Sequence, residues 1–305
     1  MDLIAGFRVF VRVAESLSFS AVAREMGVTQ PAVSRQVSAL EEHLGARLLE
    51  RTTRNLALTE DGRDLLGHAR AVLEAVERAE GAVGRHHAGP AGLVRIGAGI
   101  TFGRVAIAPR LGRLLERHPN LQIDLRLSDS QFDLVHDGVD VAIRVGPIAE
   151  TTLVARRVGA VSRIVVGAKS YIERHPAPET PEDLKSHECI MLDRLVHSNV
   201  WRLEREGVLR EVHVAGRFRT DSPDAVRAAV NSGLGLGLVS EWLMQEELET
   251  GAVRVALPGW RSPADPVHAV YLGGRNLAPR TRAVIDFLVE EFRSNPAISG
   301  LRDRG

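Results

Sequence analysis

Residues 18–59 read SFSAVAREMGVTQPAVSRQVSALEEHLGARLLERTTRNLALT. Ser18 or Ser20 can cap a first short helix, and Gly27 can end it. Thr29 can cap a second helix, because Pro31 then falls in its first turn, where the missing N–H does no harm. The stretch therefore predicts two short helices joined by a tight turn, the second running from about residue 30 to residue 43.

The second predicted helix has two chemically different faces. Val33, Val37, Leu40 and Leu44 recur at spacings of four, three and four, which places them on one apolar stripe. The amino end and the opposite side carry small polar or basic residues, namely Thr29, Gln30, Pro31, Ser34, Arg35 and Ser38. Such residues fit the DNA major groove, where amide, hydroxyl and guanidinium groups meet base edges and phosphates. We therefore predict that these six residues contact DNA.

The second helix is followed by a predicted basic hairpin. Residues 48–51 and 56–58 indicate two short strands, so Arg51 and Arg54 would lie on a wing that contacts phosphate or the minor groove. An alternative stays open, since paired amphipathic helices occur in many helical domains and single arginines are often solvated surface charges.

Residues 59–84 predict a long helix with a dimerisation seam. Apolar residues recur at spacings of four and three at Leu65, Ala69, Val72, Val76, Ala79 and Val83. This is typical of a coiled-coil seam and predicts pairing with a second copy of the chain. The alternative is a helix packed on its own domain, because the seam spans fewer than three heptads.

Residues 85–92, RHHAGPAG, predict a hinge from their Pro and Gly content. His86 and His87 have no Cys, Asp or Glu at ligand spacing, so no metal site is expected there.

Composition fits a protein of about two domains, with 305 residues of which 44% are apolar. The formal net charge is zero, and residues 1–87 hold 11 arginines against 12 acids. DNA affinity must then come from placed contacts and from doubling in a dimer, because no general basic field is present. The single cysteine, no membrane-spanning run and charges that interrupt the first apolar residues together predict a cytoplasmic protein.

Beyond the hinge, strand and helix patterns alternate, which predicts an α/β domain. The predicted strands are 93–98, 121–127, 139–145, 153–157 and 163–167, with others near 190, 212, 237 and 253. The predicted helices are 102–118, 132–137, 181–187, 223–231, 241–248 and 279–293.

Two features of the sequence resemble parts of catalytic sites. Gly233, Gly235 and Gly237 stand at every second position and precede a strand, which is not the dinucleotide-binding spacing. Cys189 has His187 two residues away, without a demonstrated orienting acid. No cofactor and no catalytic activity are therefore predicted.

The ordered motifs resemble a known family. Residues 18–62 are similar to the winged helix-turn-helix of bacterial LysR-type transcriptional regulators, and VRIGAG at 94–99, LSDSQFDLVHDGVDVAIRVG at 127–146 and AAVNSGLGLGLVS at 228–240 resemble the effector-binding half. The resemblance implies a regulator that binds palindromic double-stranded DNA as a homodimer or homotetramer and senses a small-molecule effector.

The same resemblance implies an all-α winged helix-turn-helix at 1–58, a dimerisation helix at 59–84, a hinge at 85–92 and an effector-binding domain at 93–305. That domain would be an α/β fold like a periplasmic binding protein, with lobe I at about 93–166 and 268–295 and lobe II at about 167–267. The chain would cross between the lobes near 166–168 and 267–270.

Polar residues at predicted strand ends are the candidate effector contacts, since helix amino termini there present free N–H groups. The candidates are the polar residues Thr101, Ser128, Ser130, Arg144, Thr220 and Ser222 and the neighbouring aromatic residue Phe102, for which core packing is the alternative role. For the hydroxyl residues, helix capping is an equally good explanation. The helix amino termini and Arg144 favour a small carboxylate or another small anion, while Asp129 and Asp221 argue against a strongly anionic effector.

One alternative function remains from the residues alone. The chain could be a small-molecule-binding or enzymatic protein whose helical N-terminal part serves only assembly. Such a protein would show no steep dependence of duplex DNA affinity on salt.

Overall fold

The computed structural model describes residues 2–51, 56–82, 89–135, 137–148, 153–193, 199–272 and 277–299. The α-helices are α1 (Leu3–Ser16), α2 (Phe19–Glu25), α3 (Gln30–Leu44), α4 (Glu60–Ala82), α5 (Ile100–Phe102), α6 (Leu111–Arg117), α7 (Lys169–Ile172), α8 (Pro223–Asn231), α9 (Gln245–Thr250) and α10 (Pro279–Ser294). The strands are β1 (Leu49–Arg51), β2 (Leu56–Leu58), β3 (Gly92–Ala98), β4 (Leu121–Leu127), β5 (Val141–Val145), β6 (Leu153–Val161), β7 (Arg163–Ala168), β8 (Cys189–Leu192), β9 (Val200–Arg205), β10 (Val208–His213), β11 (Arg219–Thr220), β12 (Leu236–Ser240), β13 (Val253–Val255) and β14 (Asp265–Leu272).

The N-terminal domain, residues 2–82, contains the predicted helix-turn-helix and wing. Ser18 caps α2, accepting a hydrogen bond from the Ala21 N–H at 3.2 Å. Gly27 adopts a φ of +65° in the turn before α3, a conformation that favours glycine. After α3, β1 and β2 pair antiparallel, so the hairpin is present as predicted.

The long helix α4 packs on its own domain as well as presenting a free face. Ala69 is 0% exposed and belongs to the core formed with α1 and α3, so it cannot lie in a seam with a second copy. Leu65 is half-buried against the same core, whereas Val72 is exposed. The four-three spacing therefore mixes intrachain positions with outward ones, and Val83 lies outside the described residues.

Lobe I is built on a five-stranded sheet. Its strand order is β4-β3-β5-β14-β6, with β3 parallel to both neighbours and β14 antiparallel to both of its own. Helix α10 packs on this sheet, and the buried side chains of Val284, Leu288 and Phe292 fill the core with Ile96 and Val267 of the strands.

Lobe II is built on a second five-stranded sheet of order β11-β8-β12-β7-β13, with the hairpin of β9 and β10 beside it. Helix α8 covers part of it through Val226 and Val230. The first chain crossing lies at Ser162, between β6 and β7, and the second lies between β13 and β14 at 256–264. The predicted crossings at 166–168 and 267–270 instead fall inside β7 and β14. The apolar residues at these positions belong to the two strands and not to the connections between the lobes.

Several predicted helices differ from the structure. The predicted helix 102–118 is split into α5, a π turn at Gly103–Ile107, a 3-10 turn at Ala108–Arg110 and α6, and Pro109, which lacks an N–H, lies at the break. In place of the predicted helix 132–137, residues 132–133 have no regular structure and residues 134, 135 and 137 lie in turns.

The side chains of Asp133 and Asp137 explain those turns, because they accept hydrogen bonds from the N–H groups of Val135 and Asp133 and compete with helical pairing. Two further helices were predicted too long or too regular. The predicted helix 181–187 is a 3-10 helix, Pro181–Ser186, and the predicted helix 241–248 divides into a 3-10 turn, Glu241–Leu243, and α9.

Within the described ranges, no helix combines the length and the apolar character needed to cross a bilayer.

Candidate DNA interface and effector cleft

Helix α3 presents one face to solvent and buries the other. Val33, Val37 and Leu40 are buried in the N-terminal domain core, as the spacing predicted. On the outer side, Gln30, Pro31, Arg35 and Ser38 are exposed and Ser34 is half-buried. The predicted contact residues of α3 therefore share one accessible face of a helix that its core holds in place.

The ends of α3 fix how that face is presented. Thr29 is the N-cap residue of α3, as predicted, although its side chain makes no capping hydrogen bond. Near the other end, Glu41 Oε1 accepts hydrogen bonds from the N–H groups of Leu48 at 2.8 Å and Leu49 at 3.1 Å. This carboxylate ties α3 to the first strand of the wing.

Of the two predicted basic residues of the wing, the structure describes the backbone of one. Arg51 is the last residue of β1, and its backbone pairs with Leu56 of β2. Arg54 lies outside the described residues. The DNA contacts of both arginines remain predictions.

A cavity of about 720 Å³ lies between the two lobes. Five of the seven predicted effector contacts line it, namely Thr101, Phe102, Ser128, Ser130 and Arg144. The cavity opens at the carboxyl ends of β3, β4 and β5, as predicted from the polar residues at the strand ends. Lobe II contributes Pro223 of α8 and the end of β12.

Thr220 and Ser222 do not line this cavity, so the structure does not bring them together with the other five predicted residues. Ser222 Oγ accepts a hydrogen bond from the Ala225 N–H at 3.4 Å and caps α8. Thr220 Oγ1 accepts one from the Ser222 N–H at 3.1 Å. Both hydroxyls thus accept hydrogen bonds from backbone N–H groups close by in the chain, which agrees with the capping role.

Two polar contacts bridge the lobes beside the cavity. Thr101 Oγ1 donates a hydrogen bond to Asp224 Oδ2 at 2.7 Å, and Arg104 forms an ion pair with the same carboxylate. At the crossings, Arg163 Nη1 lies 2.8 Å from Asp265 Oδ2. The Thr101 hydroxyl proton is therefore engaged between the lobes.

The cavity wall contains residues that the sequence analysis did not select. Arg163 and Asp265 line it as an ion pair, and Trp242 closes its apolar side. Arg144 Nη2 donates to the Phe132 carbonyl at 2.9 Å. Arg163 and Asp265 could have been found as charged residues at the start of two otherwise apolar strands, whereas Trp242 gave no comparable signal.

The cysteine and the glycine motif have structural roles. Cys189 is buried, and burial raises the pKa of its thiol to about 12, so the thiol stays protonated at neutral pH. Gly235 lies where an added Cβ would be 2.3 Å from the Glu188 carbonyl oxygen. Gly237 likewise faces Val230 of α8 at close range. The glycines thus allow β12 to pack closely against its neighbours.

Comparison with family models assigns both halves of the chain. Residues 4–63 match the model described as "Bacterial regulatory helix-turn-helix protein, lysR family", and residues 87–293 match the LysR substrate binding domain. The two matches cover the N-terminal domain and both lobes.

Curated relatives indicate the same family as these two models. The chain is 38% identical over 285 residues to an HTH-type transcriptional regulator of Xanthomonas campestris pv. campestris, covering 92% of this chain and 83% of the relative. It is 31% identical to the HTH-type transcriptional activator AaeR of Escherichia coli, covering 96% and 94%.

Among solved structures, CrgA of Neisseria meningitidis, a LysR-type transcriptional regulator, matches with a TM-score of 0.59 and 30% identity over 94% of this chain and 98% of that one. Full-length AphB of Vibrio cholerae matches with a TM-score of 0.57 and 28% identity over 95% and 99%. These relatives are named as regulators rather than enzymes. The chain belongs to the LysR family of bacterial transcription regulators, with a DNA-binding helix-turn-helix domain and an effector-binding domain.

Proposed function

We propose that the chain binds a palindromic operator in the cytoplasm as a homodimer or homotetramer, through the exposed face of α3 and the wing. The observation that carries the proposal is the contrast across α3, where buried Val33, Val37 and Leu40 support exposed Gln30, Pro31 and Arg35. Two copies of that face, spaced by a helical turn of DNA or a multiple of it, would match a two-fold symmetric site.

The outward face of α4 supports pairing of two copies. Val72 is 38% exposed, Val76 is half-buried and Ala79 is exposed. Apolar side chains on a solvent-facing helix stripe are stabilised when a second helix covers them. We assign the dimer contact to these three residues, with Leu65 at its edge.

The cavity between the lobes is the proposed effector site. Its volume of about 720 Å³ suits a small molecule. Arg144 and Arg163 supply positive charge, while Asp129 and Asp265 supply negative charge, so the wall is close to balanced. We propose a small carboxylate of low net charge, such as one that also carries a polar or cationic group.

Footprinting on the DNA that flanks its own gene tests the DNA proposal. Arg35→Ala removes a guanidinium from the exposed face of α3, so we expect specific affinity to fall about tenfold or more while the melting temperature stays unchanged. Arg8→Ala is the matched control, because Arg8 is also exposed but lies on α1. An unchanged footprint with Arg35→Ala would refute the assignment.

Salt dependence tests the rival in which the N-terminal domain serves only assembly. Operator affinity should fall steeply as salt rises, since each neutralised phosphate adds about 0.9 to the logarithmic slope. A flat dependence would favour the rival. A screen of small carboxylates for a raised melting temperature then tests the effector class.

A further inference from the structure

One loop of lobe I contacts both the effector cavity and the N-terminal domain. This shared loop comprises residues 128–135 and 137–138. Its first part, 128–132, lines the cavity. Its second part lies against α4, where a Cβ added to Gly67 would be 2.1 Å from Val135 Cγ1. A Cβ added to Gly138 would likewise overlap the Arg70 guanidinium. The two surfaces are separated only by the thickness of the loop.

A cluster of charges beside the loop joins the same two domains. Glu15 of α1 accepts from Arg70 Nη2 of α4 at 3.1 Å and also pairs with Arg95 of β3 in lobe I. All three side chains are largely buried, with exposures of 12%, 15% and 13%. Burial lowers the pKa of Arg70, and the nearby Arg95 charge lowers it further, against the attraction of Glu15. Removal of the Glu15 charge would leave the two guanidiniums close together, with Asp124, whose Oδ2 lies 3.6 Å from Arg95 Nε, as the remaining carboxylate partner of Arg95.

The loop is held firmly at its cavity end. The Phe132 carbonyl accepts the Arg144 hydrogen bond at 2.9 Å, and the Phe132 ring packs so closely on Gly97 that an added Cβ there would be 2.9 Å from Cδ2. Arg126 Nη1 donates to the Asp137 carbonyl at 2.8 Å near the other end. Packed segments of this kind move as units, so a displacement at Phe132 is carried to Val135 and Gly138.

We propose that the shared loop couples the effector cavity to the N-terminal domain, with Arg144 as a positioning residue and the Glu15, Arg70 and Arg95 cluster as the joint. The proposal rests on the proposed function, because it assumes that the cavity is where an effector acts. A ligand that moves Arg144 or Phe132 would shift the loop against α4 and change how α3 is presented. Coupling of this kind requires that the ligand binds with different affinity to the shifted and the unshifted arrangement of the loop.

Amide hydrogen exchange on the full-length protein tests the coupling without any effector or DNA. Arg144→Gln changes only the cavity side, and we expect exchange in α4 residues 64–73 to rise about threefold or more. Glu15→Gln changes the joint together with the ion pair of Glu15 with Arg12 inside α1, and exchange in the shared loop should rise by a similar factor. Arg144→Lys keeps the charge and a donor and should restore part of the protection in α4.

Controls separate coupling from general loosening. Glu290→Gln breaks an exposed ion pair with Arg117 on the far side of lobe I and should leave both segments unchanged. Exchange in β8 and β12 of lobe II should stay constant in every variant. If Glu15→Gln fails to fold, Gly67→Ala is the second variant, since its Cβ presses directly on Val135.

The outcomes distinguish this inference from the proposed function. If Arg144→Gln leaves α4 unchanged, or the joint variant leaves the shared loop unchanged, the coupling is wrong even when the protein binds its operator. If both segments respond but no operator is bound, the coupling holds and the DNA proposal fails. If all regions loosen together, including β12, the variants act on stability and the coupling is refuted.

Discussion

The DNA face and the effector cleft are assembled in different ways. The DNA face is a single 15-residue helix, α3, supported by a core from its own domain. The cleft is bridged by contacts between distant parts of the chain. Thr101 and Asp224 are 123 residues apart, and Arg163 and Asp265 are 102 apart. The first surface is supported by the apolar core of one domain. The second combines polar bridges with the packing of Trp242 and Leu243 of lobe II against the lobe I core.

The two surfaces therefore depend on interactions of different strength. Burial of apolar side chains contributes several kcal/mol at one position, while a partly exposed hydrogen bond contributes about 1 kcal/mol. Changes under α3 should therefore cost stability, and changes across the cleft should mainly alter the relation of the lobes. The following substitutions test that division in order of decreasing effect.

Leu40→Ala should have the largest effect, because Leu40 is 0% exposed and packs at the centre of the N-terminal domain core. We expect the free energy of unfolding of this domain to fall by about 3 kcal/mol. The three tryptophans, Trp201, Trp242 and Trp260, all lie in the effector domain. Circular dichroism during urea unfolding should therefore show the loss, while tryptophan fluorescence should not.

Leu44→Ala is the matched control, since Leu44 continues the same stripe of α3 but is 40% exposed. It should cost about 1 kcal/mol or less, in proportion to the smaller apolar area that it buries. Equal losses for Leu40→Ala and Leu44→Ala would contradict the view that α3 is held by its buried face.

A double-mutant cycle across the cleft should give a smaller energy. Thr101→Val removes the hydroxyl and Asp224→Asn removes the charge, so the pair should show a coupling of about 1 kcal/mol in fluorescence-detected unfolding. The value is modest because the Asp224 side chain is 35% exposed and keeps Arg104 as a second partner.

The control for this cycle is Arg202 and Glu211, an exposed ion pair within the hairpin of β9 and β10. Its coupling should stay below about 0.5 kcal/mol. Should the Thr101 and Asp224 cycle show no more coupling than this exposed pair, the bridge would not hold the lobes together. The cleft would then owe its shape to the crossings and to the contact between Phe102 and Trp242.

The sequence predicted the N-terminal domain well because its signals are local. The caps, the turn glycine and the four-three-four stripe of α3 lie within one or two turns of the residues they govern, and they predicted α2, α3, β1 and β2 to within a residue or two. For Ala69, local spacing was not enough to predict what the side chain contacts. Its position in a four-three pattern suits a partner helix and an intrachain core equally, and only the packing of α1 against α4 decides between them.

The cleft was predicted only in outline because its contacts are not local. The strand-end rule correctly brought Thr101, Ser128 and Arg144 to one cavity. It failed for Thr220 and Ser222, since a hydroxyl beside a helix terminus can satisfy its own backbone instead of a ligand. Asp224 was missed because its partner lies in the other lobe, and nothing near it in the sequence indicates that contact.

The smallest predicted effect concerns pH and lies inside lobe II. His187 is buried, and its Nδ1 lies 3.3 Å from the Tyr171 hydroxyl. Burial lowers the pKa of His187, the nearby His175 lowers it further, and Asp183 opposes both. The folded-state pKa therefore lies below the unfolded value of about 6.5. Between these two values the unfolded chain binds more protons than the folded one.

Stability of the effector domain should thus be fully present above about pH 6.5 and should fall as pH drops toward the folded-state pKa of His187. The expected loss is on the order of one or two degrees in the fluorescence-detected melting temperature. His187→Asn keeps a polar atom near Tyr171 but cannot titrate, so its melting temperature should change less between pH 7.5 and 5. Because His187 is remote in the chain from α3, the unfolding of the N-terminal domain should not distinguish the two proteins. A pH effect of equal size in His187→Asn would assign the titration to other groups, and a difference that appears in the N-terminal domain would show that the two regions are less independent than their cores suggest.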